Sequence, residues 1–339
     1  MKKFLILAFT SLLTFSVIAC DTGEKFSPSS AQGLYDGTIK VGHLVALDMA
    51  PLFVAKEAGY FQDEGLDVET VFFSNPGDNN AALTGESVQF SINPFTLAYL
   101  GQNSGVPMRI ISNAGGNGIM QVVIQGKYDV SSMQVLATWV KANPGKKLKV
   151  GTLRGDTLDM ILYRGFQEIG LTYDDFEMVW YNDLLAMVQT FQTGEIDILS
   201  HIQPYTTDLQ VNYEAKLLTN NADVWGVGTP NTTSMILEDF GKKYPETVKK
   251  YLRASNKALE LIKKDPEQAM KFLAGKNYYK VPDDVLLTSF RTQKDATLYP
   301  NIEGMNMAIA DMVSQKYIEP TQVNIVDTSY LDASFLKEQ

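Results

Sequence analysis

The chain has 339 residues, a length that gives room for two domains of ordinary size. Hydrophobic side chains make up 45% of the chain and charged ones 20%, which is typical of a globular protein and argues against a long disordered tract. The formal net charge of −10 disfavours nucleic acid and anionic lipid as partners.

The first twenty residues differ in composition from the rest of the chain. Lys2 and Lys3 precede a stretch, 4–18, that is apolar apart from scattered Ser and Thr residues. Such a segment is typical of a secretory signal peptide and is too short to span a membrane comfortably. A membrane anchor helix is the alternative, but no basic stop-transfer cluster follows Cys20.

The apolar stretch ends in Val17-Ile18-Ala19-Cys20, and Cys20 is the one cysteine of the chain. This pattern resembles the lipobox of bacterial lipoproteins, in which the cysteine becomes the mature N-terminus and carries fatty acids such as palmitate. The resemblance implies a signal peptide over 1–19 and a lipidated tether over 20–37. It also implies a protein anchored in the cell membrane and facing the periplasm or the cell exterior. A single cysteine excludes an internal disulfide and a cysteine-based metal site.

From residue 38 onward, the spacing of apolar residues predicts strands that alternate with helices. The predicted strands cover 38–45, 66–73, 88–92, 148–151, 176–180 and 196–200, and the predicted helices cover 51–59, 79–84, 156–170 and 184–191. Pro51 is a helix start signal, Asp156 a helix cap, and Gly59 a helix stop. This alternation indicates an α/β fold with parallel strand pairs. Helical spacing then predicts three helices between residues 244 and 312.

One pattern occurs twice in the chain. The sequence of 82–91 is echoed at 191–200, with Thr-Gly-Glu and a final Ser recurring 109 positions apart. Each copy reads as a helix end, a glycine turn and a strand, and each is followed by a Pro-aromatic-Thr loop. The echo predicts two lobes built on one plan. Ligands bind beyond the carboxyl ends of the strands in open α/β sheets, so we expect a cleft between the lobes.

Several segments resemble a known family. The stretch 50–61 with the following 64–69 resembles the opening of the nitrate/sulfonate/taurine-type periplasmic binding proteins, a group that includes binders of thiamine-pyrimidine precursors. The segments 82–91, 194–205 and 238–246 resemble its later signatures.

The resemblance implies a type II periplasmic-binding-protein fold with two crossovers. Lobe one is expected at 38–119 plus 241–339 and lobe two at 120–240. The implied function is a solute-binding protein of an ABC importer that delivers its ligand to a permease and its ATPase. It implies a monomer that needs no cofactor or metal and is not an enzyme.

Candidate ligand contacts lie on the loops at the predicted strand ends. Asn is also a common turn former, Asp156 is expected to cap its helix, and the aromatic residues are equally suited to a core. The candidates are Asp48, Met49, Asn75, Asn93, Phe95, Asn117, Arg154, Thr157, His201, Gln203, Tyr205 and Trp225.

The ligand class depends on the start of the helix after residue 156. Many sulfonate-binding members carry a Gly-Ser-Thr turn there, whereas this chain has Arg154-Gly155-Asp156-Thr157. Backbone N–H groups at a helix N-terminus favour anions, but a carboxylate at Asp156 repels them. We therefore expect a small organic solute, either sulfonate- or taurine-like or a heteroaromatic nutrient, rather than nitrate.

Two other functions remain open. One is a receptor that feeds a sensor, and the other is an enzyme on the same scaffold, such as a pyrimidine-precursor synthase. The synthases of this family use a cysteine-rich motif, and no cysteine follows Cys20. The chain also lacks a phosphate-binding loop with lysine, a His-Glu-x-x-His pattern and a Gly-x-Ser-x-Gly pattern.

Overall fold

A computed structural model describes residues 33–320 and 331–336. The predicted signal peptide and Cys20 lie outside the described residues. Within the described ranges, no helix is long and apolar enough to cross a membrane.

The first sheet contains five strands in the order β2-β1-β3-β10-β4. They are β1 (Ile39–His43), β2 (Val68–Phe72), β3 (Phe90–Pro94), β4 (Met108–Asn113) and β10 (Thr232–Leu237). The strand β1 runs parallel to β2 and β3, whereas β10 runs antiparallel to both β3 and β4. The carboxyl ends of β1, β2 and β3 therefore meet at one edge.

The second sheet repeats this plan in the order β7-β6-β8-β5-β9. Its strands are β5 (Met120–Ile124), β6 (Lys149–Leu153), β7 (Glu177–Tyr181), β8 (Ile198–Ile202) and β9 (Lys216–Asn220). Here β6 is parallel to β7 and β8, and β5 is antiparallel to β8 and β9. Each sheet is thus mixed, with one parallel half and one antiparallel half, and the predicted α/β architecture is confirmed.

Fourteen helices flank these sheets within the described residues. They are α1 (Ala50–Glu57), α2 (Tyr60–Asp63), α3 (Pro76–Thr84), α4 (Phe95–Asn103), α5 (Met133–Ala142), α6 (Thr157–Glu168), α7 (Leu184–Gln192), α8 (Tyr205–Asn212), α9 (Asn221–Trp225), α10 (Glu238–Lys243), α11 (Pro245–Lys264), α12 (Pro266–Leu273), α13 (Asp283–Arg291) and α14 (Ile302–Ser314). Pro51 lies in the first turn of α1, where its missing N–H has no helical partner to lose. The long helix α11 turns one face inward, including Tyr251 and Leu252, and keeps its lysines outside.

The internal echo corresponds to equivalent pieces of the two sheets. The first copy spans the end of α3 and the start of β3, and the second spans the end of α7 and the start of β8. The recurring serines, Ser91 and Ser200, are both fully buried. Ser91 donates to Asn79 Oδ1 at 2.9 Å, and Ser200 donates to the Leu158 carbonyl at 2.8 Å.

The chain passes from one sheet to the other between β4 and β5 and returns between β9 and β10. The strand β10 lies within 120–240, the range expected for lobe two, and it pairs with β3 and β4 in the first sheet. A buried polar residue contacts the start of β10: Asp48, after β1, accepts hydrogen bonds from the Thr232 N–H and hydroxyl at 2.9 and 2.8 Å.

The C-terminal helix also departs from the expected division. The sequence places residues 302–314 with the first sheet, but α14 packs against α6 and α9, which flank the second. Asp311 of α14 accepts from Arg164 of α6 and from the indole N–H of Trp225, both at 3.1 Å. The 3₁₀ turn at 333–336 then packs against β4 and α11 of the first sheet.

Candidate functional site

The carboxyl ends of the parallel strands of both sheets face a common cleft. Its inner part is lined by Leu44 and Pro94 from the first sheet, by Leu153 and Ile202 from the second, and by Thr232 of the returning strand. This inner space has a volume of only about 20 Å³, which is room for one water molecule. The two walls therefore lie almost in contact at this depth.

The cleft widens toward its mouth into a cavity of about 460 Å³. The starts of α3, α4 and α6 and the end of β7 form its walls, so three helix N-termini converge on it. A cavity of this size suits a small organic molecule. Its polar lining includes Asn75, Thr96, Arg154, Asp156 and Asn182.

A larger cavity of about 650 Å³ lies elsewhere, beside Tyr35, Leu83 and Tyr244. It contains none of the residues at the carboxyl ends of the parallel strands, so the mouth cavity is the better candidate site. In the part of the chain that the structure describes, no group of three or more His, Cys, Asp or Glu residues is placed to hold a metal ion.

Arg154 and Asp156 are the charged side chains that line the mouth and inner cavities among the described residues. The exposed guanidinium of Arg154 lies 5.2 Å from the ring centre of Trp180, in a cation–π contact. This contact holds a cation at the cavity rim without neutralising it.

Asp156 caps α6, as the sequence predicts. Its Oδ1 accepts from the Leu158 N–H at 3.0 Å and from the Thr157 hydroxyl at 3.0 Å. Thr157, a predicted ligand contact, is fully buried and turned toward this cap. Burial raises the pKa of the Asp156 carboxyl, and the nearby negative charge of Asp159 raises it further.

Two predicted asparagines lie at the first-sheet wall. Asn75 lines the mouth cavity and caps α3 by accepting from the Asp78 N–H at 2.9 Å. Asn93 is fully buried at the end of β3, and its side-chain N–H donates to the Pro76 carbonyl at 2.9 Å. The Asn93 carbonyl oxygen, Oδ1, has no hydrogen-bond partner among the described residues.

Asp48 is buried away from the cavity lining. Its carboxylate accepts from Asn231 as well as from Thr232, at 3.3–3.4 Å for Asn231 Nδ2. Burial outweighs these hydrogen bonds and raises its pKa to about 6. Its geometry is that of a clamp on the returning crossover.

Asn117 and Gln203 lie where the crossovers meet. The Asn117 N–H donates to Gln293 Oε1 at 2.9 Å, and its side-chain oxygen accepts from the Gly228 N–H at 3.2 Å. The Gln203 side chain donates to the Gly118 carbonyl at 3.2 Å and accepts from the Thr292 hydroxyl at 3.1 Å. Both amides therefore link crossover segments to the chain around residue 293.

His201 lies near the end of β8, and Tyr205 begins α8 after the short loop that follows this strand. The fully buried His201 donates from Nε2 to the Leu184 carbonyl at 2.8 Å, and desolvation lowers its pKa to about 4. Its ring meets that of Tyr205 edge-on at 5.6 Å. Tyr205 is the first residue of α8 and lines a separate cavity of about 220 Å³ with Asp208 and Lys280.

The remaining predicted residues are part of the packed interior. Met49 and Phe95 are fully buried, and Phe95 begins α4 rather than lying on a loop. Trp225 ends the short helix α9, where its indole N–H binds Asp311. The structure thus brings Asn75 and Arg154 to the wall of the mouth cavity and buries Asn93 and Thr157 beside it.

Sequence reasoning missed Asp159, Asn231 and Thr232. Asp159 is fully buried in α6 and accepts from the Gly155 N–H and the Tyr317 hydroxyl, both at 2.8 Å. Its partner Tyr317 is 158 residues away, so no local pattern points to the contact. An acidic residue on the buried face of a predicted helix was the one available signal.

Comparison with known proteins places this geometry in a family. Residues 46–269 match the model of the family described as NMT1/THI5 like. The chain is 26% identical over 241 residues to a Bacillus subtilis (strain 168) protein named as an aliphatic sulfonates-binding protein, which covers 68% of this chain and 67% of that protein. It is also 22% identical over 280 residues to the nitrate import ATP-binding protein NrtC of Synechocystis. This alignment covers 78% of the present chain but only 41% of NrtC.

Solved structures share the fold at low sequence identity. The nitrate-binding protein NrtA of Synechocystis PCC 6803 superposes with a TM-score of 0.73 at 17% identity, covering 89% of this chain and 87% of that one. The alkanesulfonate-binding protein SsuA of Xanthomonas axonopodis pv. citri, bound to MOPS, gives 0.69 at 16% identity, covering 87% and 98%. The two sheets with their flanking helices are thus a periplasmic-binding-protein fold, and the match over 46–269 shows that the chain belongs to the NMT1/THI5-like family.

Proposed function

We propose that this protein is the solute-binding component of an ABC importer and captures a small organic solute between its two lobes. The observation that carries the proposal is the cavity of about 460 Å³ at the carboxyl ends of two sheets built on one plan. The relatives named for sulfonate binding and nitrate import support an import role. Closure of the two walls over a solute would bury it from water.

The two lobes follow from the sheets. We propose that one lobe carries the first sheet, with α1–α4 and α10–α12, and that the other carries the second sheet, with α5–α9 and α14. The crossovers lie between β4 and β5 and between β9 and β10. In this arrangement Arg154 and Asp156 approach the ligand from one lobe, and Asn75 approaches it from the other.

A role in binding rather than catalysis fits the polar groups around the cavity. His201, near the carboxyl end of β8, is buried and bonded to a backbone carbonyl. Asp156 is engaged in capping its helix. The hydroxyl that Asp156 binds, that of Thr157, is fully buried within the same cap, so this pair is part of the helix start.

The anchor is a proposal from the sequence. A lipid on Cys20 would hold the mature protein at the outer face of the cytoplasmic membrane, beside its permease. Replacing Cys20 by Ala should move the protein from the membrane fraction to the soluble fraction. A variant that stays membrane-bound as before would contradict the lipoprotein assignment.

The proposed capture of a solute is tested by a thermal-shift screen of the purified protein. The panel contains sulfonates, taurine, pyrimidines, simple amines and amidines, carboxylates and nitrate. A solute at about a hundred times its Kd should add about 2.7 kcal/mol to the free energy of unfolding. A bound solute that leaves the protein chemically unchanged supports a binding protein, whereas turnover supports the synthase alternative.

Importer and sensor roles are separated by the partner. The cognate permease and ATPase, reconstituted with the loaded protein, should hydrolyse ATP faster than with the empty one. Stimulation that requires the protein supports import. A protein that instead binds only the extracellular part of a sensor would favour the second function.

A further inference from the structure

The start of α6 faces the mouth cavity, but its backbone donors are already used by the chain's own carboxylates. The Leu158 N–H donates to Asp156 Oδ1 at 3.0 Å, and the Gly155 N–H donates to Asp159 Oδ2 at 2.8 Å. A helix N-terminus binds an anion through these free N–H groups. Here two negative groups occupy the place that an anionic ligand would take.

Asp159 cannot turn away to release its donor. It is fully buried and also accepts from the hydroxyls of Tyr173 and Tyr317. Asp156 is only partly buried and lines both the inner and the mouth cavities. The carboxylate of Asp156 is therefore the negative group that a ligand in the cleft meets first.

A second acceptor lies buried at the end of β3, behind Pro94 of the inner cavity. Asn93 is fully buried, and its side-chain N–H is engaged by the Pro76 carbonyl at 2.9 Å. Its carbonyl oxygen has no hydrogen-bond partner among the described residues. Pro76 lines both cavities and Pro94, next to Asn93, lines the inner one. A buried acceptor without a donor is costly, and a ligand donor would satisfy it.

The one cation of the lining does not reverse this balance. Arg154 lies at the exposed rim, over the Trp180 ring. No lysine lines either cavity among the described residues. The charged acceptor of the inner wall is thus the Asp156 carboxylate, and the positive charge stays near solvent, where it is screened.

We propose that Asp156 is a specificity-determining residue, and that it selects solutes presenting a nitrogen hydrogen-bond donor, protonated or neutral, and rejects sulfonate and nitrate. This inference rests on the proposed capture of a solute in the cleft. It departs from the ligands named for the relatives, because the α6 N-terminus is closed to anions. Asp156 would receive the donor at the wall shared by the inner and the mouth cavities.

The test uses pairs of compounds with one carbon skeleton and opposite polar groups: benzamidine with benzenesulfonate, and ethylamine with ethanesulfonate. Their affinities for the full mature protein in detergent are measured by calorimetry, beside the thermal-shift panel. We expect the nitrogen compound of a pair to bind at least tenfold more tightly than its sulfonate.

The variant Asp156→Asn isolates the charge, because Asn caps a helix as well as Asp does. The substitution should lower the affinity for the tightest-binding nitrogen-donor compound of the panel at least tenfold, and it should raise the affinity for sulfonates. The control is Asp265→Asn, which changes the cap of α12, where Oδ1 accepts from the Gln268 N–H at 2.9 Å, outside the cavity lining. This control should leave every affinity unchanged.

This design distinguishes failure of the proposed selectivity from failure of the proposed solute capture. Binding confined to sulfonates or nitrate, or a base-to-sulfonate ratio that Asp156→Asn leaves unaltered, overturns the selectivity and leaves solute capture standing. Binding of no compound in the panel contradicts the proposed function itself.

Discussion

The backbone N–H of Leu47 donates a hydrogen bond to the backbone carbonyl of Gln203 at 2.9 Å, joining the loop after β1 to the loop after β8. The Gln203 N–H in turn donates to the Ile119 carbonyl at 2.9 Å, at the end of the first crossover. One residue of the second sheet's loop therefore contacts the first sheet's loop and the crossover between them.

Replacing Gln203 by Ala should lower the free energy of unfolding by about 2 kcal/mol, because buried donors and acceptors lose their partner. The Gln203 side chain is 2% exposed and binds both the Gly118 carbonyl and the Thr292 hydroxyl. Urea unfolding of the purified protein measures the loss. Gln134→Ala, at an exposed position of α5, is the control and should cost little. Equal stabilities of the two variants would contradict this role for Gln203.

Asp48 should make the protein more stable at mildly acid pH. Its pKa is about 6 in the folded protein against 3.8 for the free side chain, so between these values the folded state binds more protons than the unfolded state. Stability from this group is therefore present at low pH and lost as the pH rises through 6. Relative to Asp48→Asn, the wild type should gain about 2 kcal/mol between pH 7 and pH 4.5. Urea unfolding at both pH values checks this, and a constant difference would contradict the buried charge.

Local patterns in the sequence predict the two-sheet fold well. Runs and alternation of apolar residues predict six of the strands, and helical spacing predicts the helices between them. Asp156 and Pro51 mark helix starts that the structure confirms. The echo of 82–91 at 191–200 predicts the repeated plan, because each copy joins a helix end to a central strand. These features depend on residues that are close together in the sequence, so they can be predicted without knowing the tertiary structure.

The pairing of β10 and the residues that form the walls of the site are harder to predict from the sequence. The strand β10 pairs antiparallel with β3, about 140 residues earlier in the chain, and its first residue, Thr232, binds Asp48, which is 184 residues away. Position on a strand-end loop predicts that Asn117, Gln203 and His201 lie near the cleft. It does not predict that their polar atoms are already bonded to crossover or loop backbone. Those bonds depend on tertiary contacts that no local spacing encodes.

His201 should make the protein less stable in acid, the opposite sign to Asp48. Its pKa falls to about 4 in the folded state from 6.5, so the unfolded state binds more protons between these values. Stability from this group is present above pH 6.5 and is lost as the pH falls toward 4. His201→Gln, which keeps a side-chain N–H donor, should narrow its stability deficit against the wild type by about 2 kcal/mol between pH 7 and pH 4.5. A deficit that stays constant across this range, measured by urea unfolding, would show that His201 is not buried in its neutral form.

Asp311 should hold α14 against the second sheet. Its carboxylate, 6% exposed, accepts from Arg164 and from the indole N–H of Trp225, both at 3.1 Å. Asp311→Ala leaves a partly buried guanidinium and an indole N–H without their acceptor, and should cost about 2–3 kcal/mol in urea unfolding. Asp311→Asn keeps an acceptor for one of them and should cost less. Glu267→Ala, which breaks the exposed pair with Arg291, is the matched control and should change stability little. If Asp311→Ala were no more destabilising than this control, the docking of α14 would rest on its apolar face alone.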